Sequence, residues 1–285
     1  MIVNSKQMLK EAKLNKYAVP HFNINNLEWT RFILEECEKN NSPVILGVSE
    51  GAAKYMGGFK VVSSMVKSLV ESLSISIPVA LHLDHGTSLD SCKEAIDAGF
   101  TSVMIDASKH SLEENINITK EVVIYASGRN VSVEAEIGHI GGEEDGIADE
   151  IAYAKVEDAI KLVEETGIDS IAPALGSVHG IYKGEPKLDF ERMEEIALKT
   201  DLPLVLHGGS GIDDEKIKRA ISCGICKLNI NTELQIEWTK AVREFLDNNK
   251  EVYDPRKVIK AGEEEMKNAI RIKIELLGSN NKVNN

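Results

Sequence analysis

Eight short runs rich in β-branched residues, each followed by a segment of helical period, predict an α/β fold: a single (β/α)8 TIM barrel with an extra C-terminal helix. The 285 residues contain no Pro/Gly/Ser linker and no shift of composition, so 1–285 reads as one domain with a frayed tail over about 279–285. Eight parallel strands joined by right-handed crossovers close a barrel that their inward side chains just fill. A third observation is that polar and titratable residues gather where the strands should end.

The first strand is expected at Tyr17–Phe22 with its helix at Leu27–Lys39, the second at Pro43–Val48 with Phe59–Leu73. Val79–Leu83 with Leu89–Ala98 and Ser102–Ile105 with Leu112–Ala126 form the third and fourth units. Val131–Ala135 with Lys155–Glu164 and Ser170–Ala174 with Asp189–Lys199 follow, then Leu204–Leu206 with Glu215–Ser222 and Lys227–Ile230 with Thr232–Asn248. Ser88 and Asp213 suit helix starts, and Gly99 and Gly167 suit helix ends. Pro255–Leu277 is a helix surplus to a minimal barrel. Gly138–Asp149, GHIGGEEDGIAD, is too polar for core and reads as a mobile loop after the fifth strand.

A hydrophobic fraction of 42% excludes a disordered chain. The net charge of −13 and the lack of any long Lys/Arg run argue against nucleic acid as a partner. No stretch of 18 or more apolar residues and no signal-peptide pattern occur, so no membrane is expected and the protein should be soluble and cytoplasmic. Four cysteines do not make a disulfide framework in so long a chain. Cys223 and Cys226 have redox-motif spacing but fall on the N-terminal face of the barrel, where buried thiols are expected.

Barrel enzymes build their sites at the C-terminal ends of the strands. There the chain places Asn23, Ser49-Glu50-Gly51, Asp84-His85-Gly86, Asp106 and Glu136, then GSVHG at 176–180, HGGSG at 207–211 and NINT at 229–232. His85, His179 and His207 share this rim. They are either three unrelated loop histidines or imidazoles converging on Zn²⁺ or a related divalent ion. Asp106 and Glu136 either hold a metal in a second position or cap loop amides. Asp84 and His85, as neighbours at a strand end, should point to opposite sides, one as a base and one toward a metal. His82 lies a layer deeper, as a hydrogen-bonded interior histidine. The glycine loops at 207–211 and 229–232 occupy the positions where barrels usually hold phosphate on backbone N–H groups and helix N-termini. Arg256 either adds a bidentate cation for a second phosphate or is a solvated helix-start residue, and Lys183 is a further cation near the rim.

HLDHG at 82–86, GSVHGIYKGEP at 176–186, LHGGSG at 206–211, NINTE at 229–233 and YDPRK at 253–257 resemble the class II, zinc-dependent ketose-bisphosphate aldolases. SPVILGVSEG and YMGGFK within 42–60 are similar to their fructose-1,6-bisphosphate branch. The resemblance implies cleavage of that sugar to dihydroxyacetone phosphate and glyceraldehyde 3-phosphate, through an enediolate stabilised by zinc. It implies zinc on His85, His179 and His207, with Asp106 and Glu136 as a second or alternative position, and a monovalent cation, Na⁺ or K⁺, near the phosphate loop. Asp84 would exchange the C4 hydroxyl proton, and Glu144 would be the acid of the mobile loop. Gly180, Gly208, Gly209, Ser210, Asn229, Ile230, Asn231 and Thr232 would hold the dihydroxyacetone-phosphate half. Ser49 and Arg256 would meet the other half, Arg256 from a neighbouring subunit of a homodimer or homotetramer. His139 departs from the smaller or uncharged residue of many relatives. The rival readings are a tagatose-1,6-bisphosphate or deoxy-keto-gluconate-phosphate aldolase, a Schiff-base aldolase, for which IAPALGSVHG at 171–180 offers no lysine, and a non-catalytic sugar-phosphate-binding barrel.

Overall fold

The computed structural model describes residues 1–144, 147–149, 152–180, 182 and 184–283, with backbone only at 142–144 and 147–149. Eight parallel strands form a closed barrel: β1 (Val19–Asn23), β2 (Val44–Val48), β3 (Val79–Gly86), β4 (Ser102–Ile105), β5 (Ser132–Ile137), β6 (Ser170–Pro173), β7 (Leu204–Leu206) and β8 (Ile225–Ile230). Each pairs with its sequence neighbour, and β1 closes on β8 with Val19 opposite Lys227 and Phe22 opposite Ile230. The expected strands are all present. The largest extension is in β3, which continues through Asp84 and His85 to Gly86.

The helices begin where side chains accept the first free amides. Asn26, Ser88, Asp189 and Asp213 cap in this way, and Ser111 and Glu114 form a reciprocal capping box. Outward strand residues such as Leu46, Leu81 and Val103 pack under the helix ring in one continuous apolar layer. Inside the barrel, Met104, Ala172 and Val205 make a small apolar cluster.

Two helices were not foreseen. Ser5–Asn15 buries Met8, Leu9 and Ala12 against Val19, Ile45, Ala80 and Cys226, plugging the N-terminal end of the barrel. Its other positions are almost all polar, so its apolar stripe is narrow. Glu50–Tyr55 is a single short helix after β2. The surplus helix is two, Pro255–Lys260 and Glu263–Leu276. They part at Gly262, where the Trp238 ring occupies the space of a β-carbon and its indole N–H donates to the Ile259 carbonyl at 3.2 Å.

The tail expected to fray is held down as far as Val283. The Ser279 hydroxyl pairs with Ser42 at 2.7 Å, and the amides of Asn281 and Lys282 donate to the carbonyls of Asn40 and Asn41. The glycine-rich acidic stretch after β5 forms two strands, Gly141–Glu144 antiparallel to Ile147–Asp149. The first of these runs parallel to Val178–His179, so the segment lies across the barrel mouth.

Candidate active site at the barrel mouth

Strand alternation sends every second residue inward. Asn23, Asp84, Glu136 and Asn229 therefore form one inward layer near the mouth, and His21, His82, Glu134 and Lys227 the layer below. All eight are buried.

His85 should by alternation point away from Asp84. It does not, because its backbone takes φ +49°, and the pairing of β3 with β4 slips between Leu83 and Gly86. This bulge turns the side chain back over the mouth. His85 thereby joins His207, which follows β7, and His179, on the two-residue strand after β6. Ring centroids lie 4.6 Å apart for His85 and His207, 4.9 Å for His85 and His179, and 5.7 Å for His179 and His207. The three offer ligand atoms all within 4.8 Å of one another.

The donor set fits a divalent cation. His85 Nδ1 lies 3.0 Å from Asp106 Oδ2, and His207 Nε2 lies 3.1 Å from Glu134 Oε1. Carboxylates accept, so both imidazoles donate there and keep the other nitrogen bare. Those bare nitrogens, His85 Nε2 and His207 Nδ1, face each other at 2.8 Å. Two lone pairs at that distance repel unless a cation lies between them or one accepts a proton. Burial holds the pKa of both His179 and His207 below the ordinary imidazole range, which keeps both rings neutral, the form a metal requires.

Asp106 and Glu136 flank His85 on the other side, and with it form a second cluster of ligand atoms within 4.8 Å. Asp106 Oδ1 accepts from the Ser108 amide and hydroxyl. Glu136 Oε1 accepts from the Ile140 amide at 3.0 Å, while Oε2 is buried with no hydrogen-bond donor among the described residues. Burial and the neighbouring Asp106 push the Glu136 pKa well up. His139 reaches this cluster, its Nδ1 2.8 Å from Ser108 Oγ.

Asp84 is held by two amides: Asn23 Nδ2 donates to Oδ2 at 2.9 Å and Asn229 Nδ2 to Oδ1 at 3.2 Å. Burial acts to raise its pKa, but His21, His85, His207 and Lys227 surround it and hold it well below the usual carboxylate range. It is an ionised carboxylate with a fixed orientation.

Beside it lies a cavity of 250 Å³ lined by Gly180, Gly208, Ser210, Asn229, Asn231 and Thr232 together with Asn23, Asp84, His179 and Gln235. The helix Thr232–Asn248 starts here with no side-chain cap, leaving amides for a ligand, apart from Glu233 N, which donates to Ser210 Oγ. Gly208, at φ +64°, passes so close to the Val178 carbonyl that a β-carbon would collide with it. Tyr182 ties the same loops together, its hydroxyl accepting from Val178 N and donating to Gly208 O at 2.8 Å.

Four sequence-predicted residues are elsewhere. Gly209 and Ile230 do not line the cavity: the Gly209 amide donates to the Asn229 carbonyl, and Ile230 is apolar core. The Ser49 hydroxyl caps the helix Glu50–Tyr55. Arg256 pairs with Asp254 at 2.9 Å and its side chain is 89% exposed, away from the cavity. The Glu144 side chain and Lys183 lie outside the described residues. Sequence reasoning missed His21, Glu134, Lys227 and Tyr182. The first three stand two residues before rim positions on their strands, a spacing that would have pointed inward. His82 is the interior histidine expected, with Nδ1 2.7 Å from Ser102 Oγ. Cys223 and Cys226 are free thiols, and burial pushes the Cys226 thiol up to about 12. Among the described residues no helix is long and apolar enough to cross a membrane.

The chain as a whole is similar to known proteins. The fructose-bisphosphate aldolase of Geobacillus stearothermophilus is 59% identical over 282 residues, covering 99% of this chain and 98% of the relative. That of Staphylococcus aureus is 58% identical over 282 residues, covering 99% of each. The crystal structure of the YdjI aldolase from Escherichia coli K12 superposes with a TM-score of 0.86 at 34% identity, covering 100% of both chains. The description of the family Fructose-bisphosphate aldolase class-II matches residues 3–282, and with relatives this similar over its whole length the chain belongs to that family.

Proposed function

We propose that this chain is a divalent-metal-dependent aldolase that reversibly cleaves fructose 1,6-bisphosphate to dihydroxyacetone phosphate and glyceraldehyde 3-phosphate. The observation that carries the reading is the ionised, doubly oriented Asp84 carboxylate between the three converging imidazoles and the anion-ready cavity. His85, His179 and His207 would hold the metal, taken to be Zn²⁺, with Asp106 and Glu136 as a second position. Bound there, the ion would supply Lewis acidity for the negative charge that cleavage leaves on the ketose.

The protein's own groups do the rest. Backbone amides of Gly208, Ser210, Asn231 and Thr232, with the Ser210 hydroxyl, bind one phosphate and fix the sugar's register. Asp84 takes the C4 hydroxyl proton as the C3–C4 bond breaks. The bonding pair stays on C3, shared with the C2 carbonyl as an enediolate, and glyceraldehyde 3-phosphate departs. Glu144, on the strand paired beside His179, returns a proton to C3 and yields dihydroxyacetone phosphate. Ser49 and Arg256 serve the second phosphate, and the exposure of Arg256 supports its use by a neighbouring subunit of a cytoplasmic homo-oligomer.

The test is cleavage of fructose and tagatose 1,6-bisphosphates side by side, with and without EDTA and added Zn²⁺. Zinc-dependent turnover preferring the fructose sugar is expected. A tagatose preference would keep the chemistry and change the substrate, whereas activity that survives thorough chelation would overturn the three-histidine assignment. Borohydride trapping with substrate should label nothing, since the barrel lysine, Lys227, is committed to Glu134.

A further inference from the structure

Below the three histidines the barrel interior is crossed by a buried polar chain. Lys227 Nζ donates to both oxygens of Glu134, at 3.0 and 2.8 Å, and its third contact is His82 Nε2 at 3.3 Å. His82 is fixed in turn by Ser102. All three of the lysine's donors thus point at acceptors. Glu134 Oε1 keeps capacity for one further donor and meets His207 Nε2 at 3.1 Å. Lys227, Glu134, His82 and His207 are each at most 2% exposed, so no water competes for these bonds.

We propose that Glu134 and Lys227 are positioning residues of the metal centre: Lys227 locks the Glu134 carboxylate, and Glu134 holds His207 in the tautomer that carries its proton on Nε2 and leaves Nδ1 bare toward His85 and His179. The opposite tautomer would set a bare Nε2 against a carboxylate oxygen and a proton where the metal ligand must be. It would also turn that Nδ1–H toward Asn229 Nδ2, itself a donor, at 3.4 Å. A buried ion pair is weak evidence for stability, because well-packed apolar residues often replace one without loss. Outer-sphere partners of a ligating histidine, by contrast, typically govern metal affinity by about 10–100-fold. The inference rests on the reading of His207 as a metal ligand, and its test separates the two.

The first measurement is a long-range ¹H–¹⁵N correlation spectrum of the metal-free protein, with His207 assigned by its loss in His207→Gln. The wild type should show His207 protonated on Nε2. In Glu134→Gln, whose amide can donate to Nε2, the proton should move to Nδ1 or be shared. The second is Zn²⁺ affinity by competition with a chromophoric chelator in Lys227→Met, Glu134→Gln and the double variant Lys227→Met/Glu134→Leu. Each should bind Zn²⁺ about 10–100-fold more weakly. The double variant buries no unpaired charge, so it should stay folded and keep the test valid should Lys227→Met alone fail to fold. Wild-type Zn²⁺ affinity in the folded double variant, or an Nδ1 proton on His207 in the wild type, would overturn the proposal. A wild-type protein that shows the Nε2–H tautomer yet binds no Zn²⁺ would instead overturn the metal reading of the site.

Discussion

The His21 ring occupies the space that any side chain on Gly47 would need. Gly47 on β2 lies opposite Asn23, two residues along β1 from His21, and an added β-carbon would overlap the imidazole. His21 stands under the layer of Asn23, Asp84, Glu136 and Asn229, 3.7 Å from Asp84 Oδ2 and edge-on to His82 with centroids 5.5 Å apart. Gly47→Ala should therefore cost about 1–3 kcal/mol of unfolding free energy, the usual range for overpacking. Adding His21→Ala should return much of that loss, a coupling that a urea double-mutant cycle measures. Additive effects would show that the two positions do not share the space.

Asp84→Ala should lower kcat by about 100- to 10,000-fold, the span of general acid–base catalysis. Bound zinc should stay near the wild-type level, because Asp84 is not among the three histidine ligands. Steady-state kinetics together with metal analysis of the purified variant decide this. Near-normal turnover would remove Asp84 from the proton transfer.

Acid should weaken the fold through His21. Burial lowers its folded pKa to about 3, against an unfolded value of about 6.5. Below pH 6.5 the unfolded chain binds a proton that the folded chain refuses, so stability is present above 6.5 and falls as the pH drops toward 3. The slope from this one group approaches about 1.4 kcal/mol per pH unit. Across that window His21→Gln should lose stability less steeply than the wild type, as followed by denaturant unfolding at several pH values. Parallel profiles would show that His21 is already charged in the folded state.

Arg256→Ala should leave the melting temperature unchanged, because its exposed pair with Asp254 is worth little. It should raise the KM for the bisphosphate if a neighbouring subunit's site uses it. The same preparation examined by sedimentation should be oligomeric. An unchanged KM would return Arg256 to the role of a solvated helix-start residue.

Chelation should lower the melting temperature, and added Zn²⁺ should restore it, since an ion that binds only the folded site stabilises by mass action. In His85→Ala or His207→Ala the shift should largely vanish, whereas in Arg256→Ala it should persist.

The barrel and the residues of its rim were legible in the sequence because both depend on local patterns. Alternating short β-branched runs and amphipathic helices set eight units in order, and a strand that ends in Asp84-His85 or a loop such as 207–211 announces a polar rim. The narrow stripe of Ser5–Asn15 and the break at Gly262 were not legible, since Met8 and Leu9 find their partners on β1, β2, β3 and β8 and Gly262 finds Trp238 from another helix. The anchored tail is hidden for the same reason: its backbone amides donate to the carbonyls of Asn40 and Asn41, far away in sequence.

Which chemistry stands at which strand end follows from the order of residues alone, because side-chain identity and strand period are properties of neighbours along the chain. Only the tertiary structure decided how that chemistry is aimed. The left-handed turn at His85 comes with the slip in the β3–β4 pairing, the bare nitrogen of His207 with the buried Glu134 carboxylate, and the low proton affinity of Asp84 with its ring of polar neighbours, which outweighs desolvation. Those arise only when β1, β3, β5, β7 and β8 meet inside one closed barrel and exclude the water that would otherwise screen them.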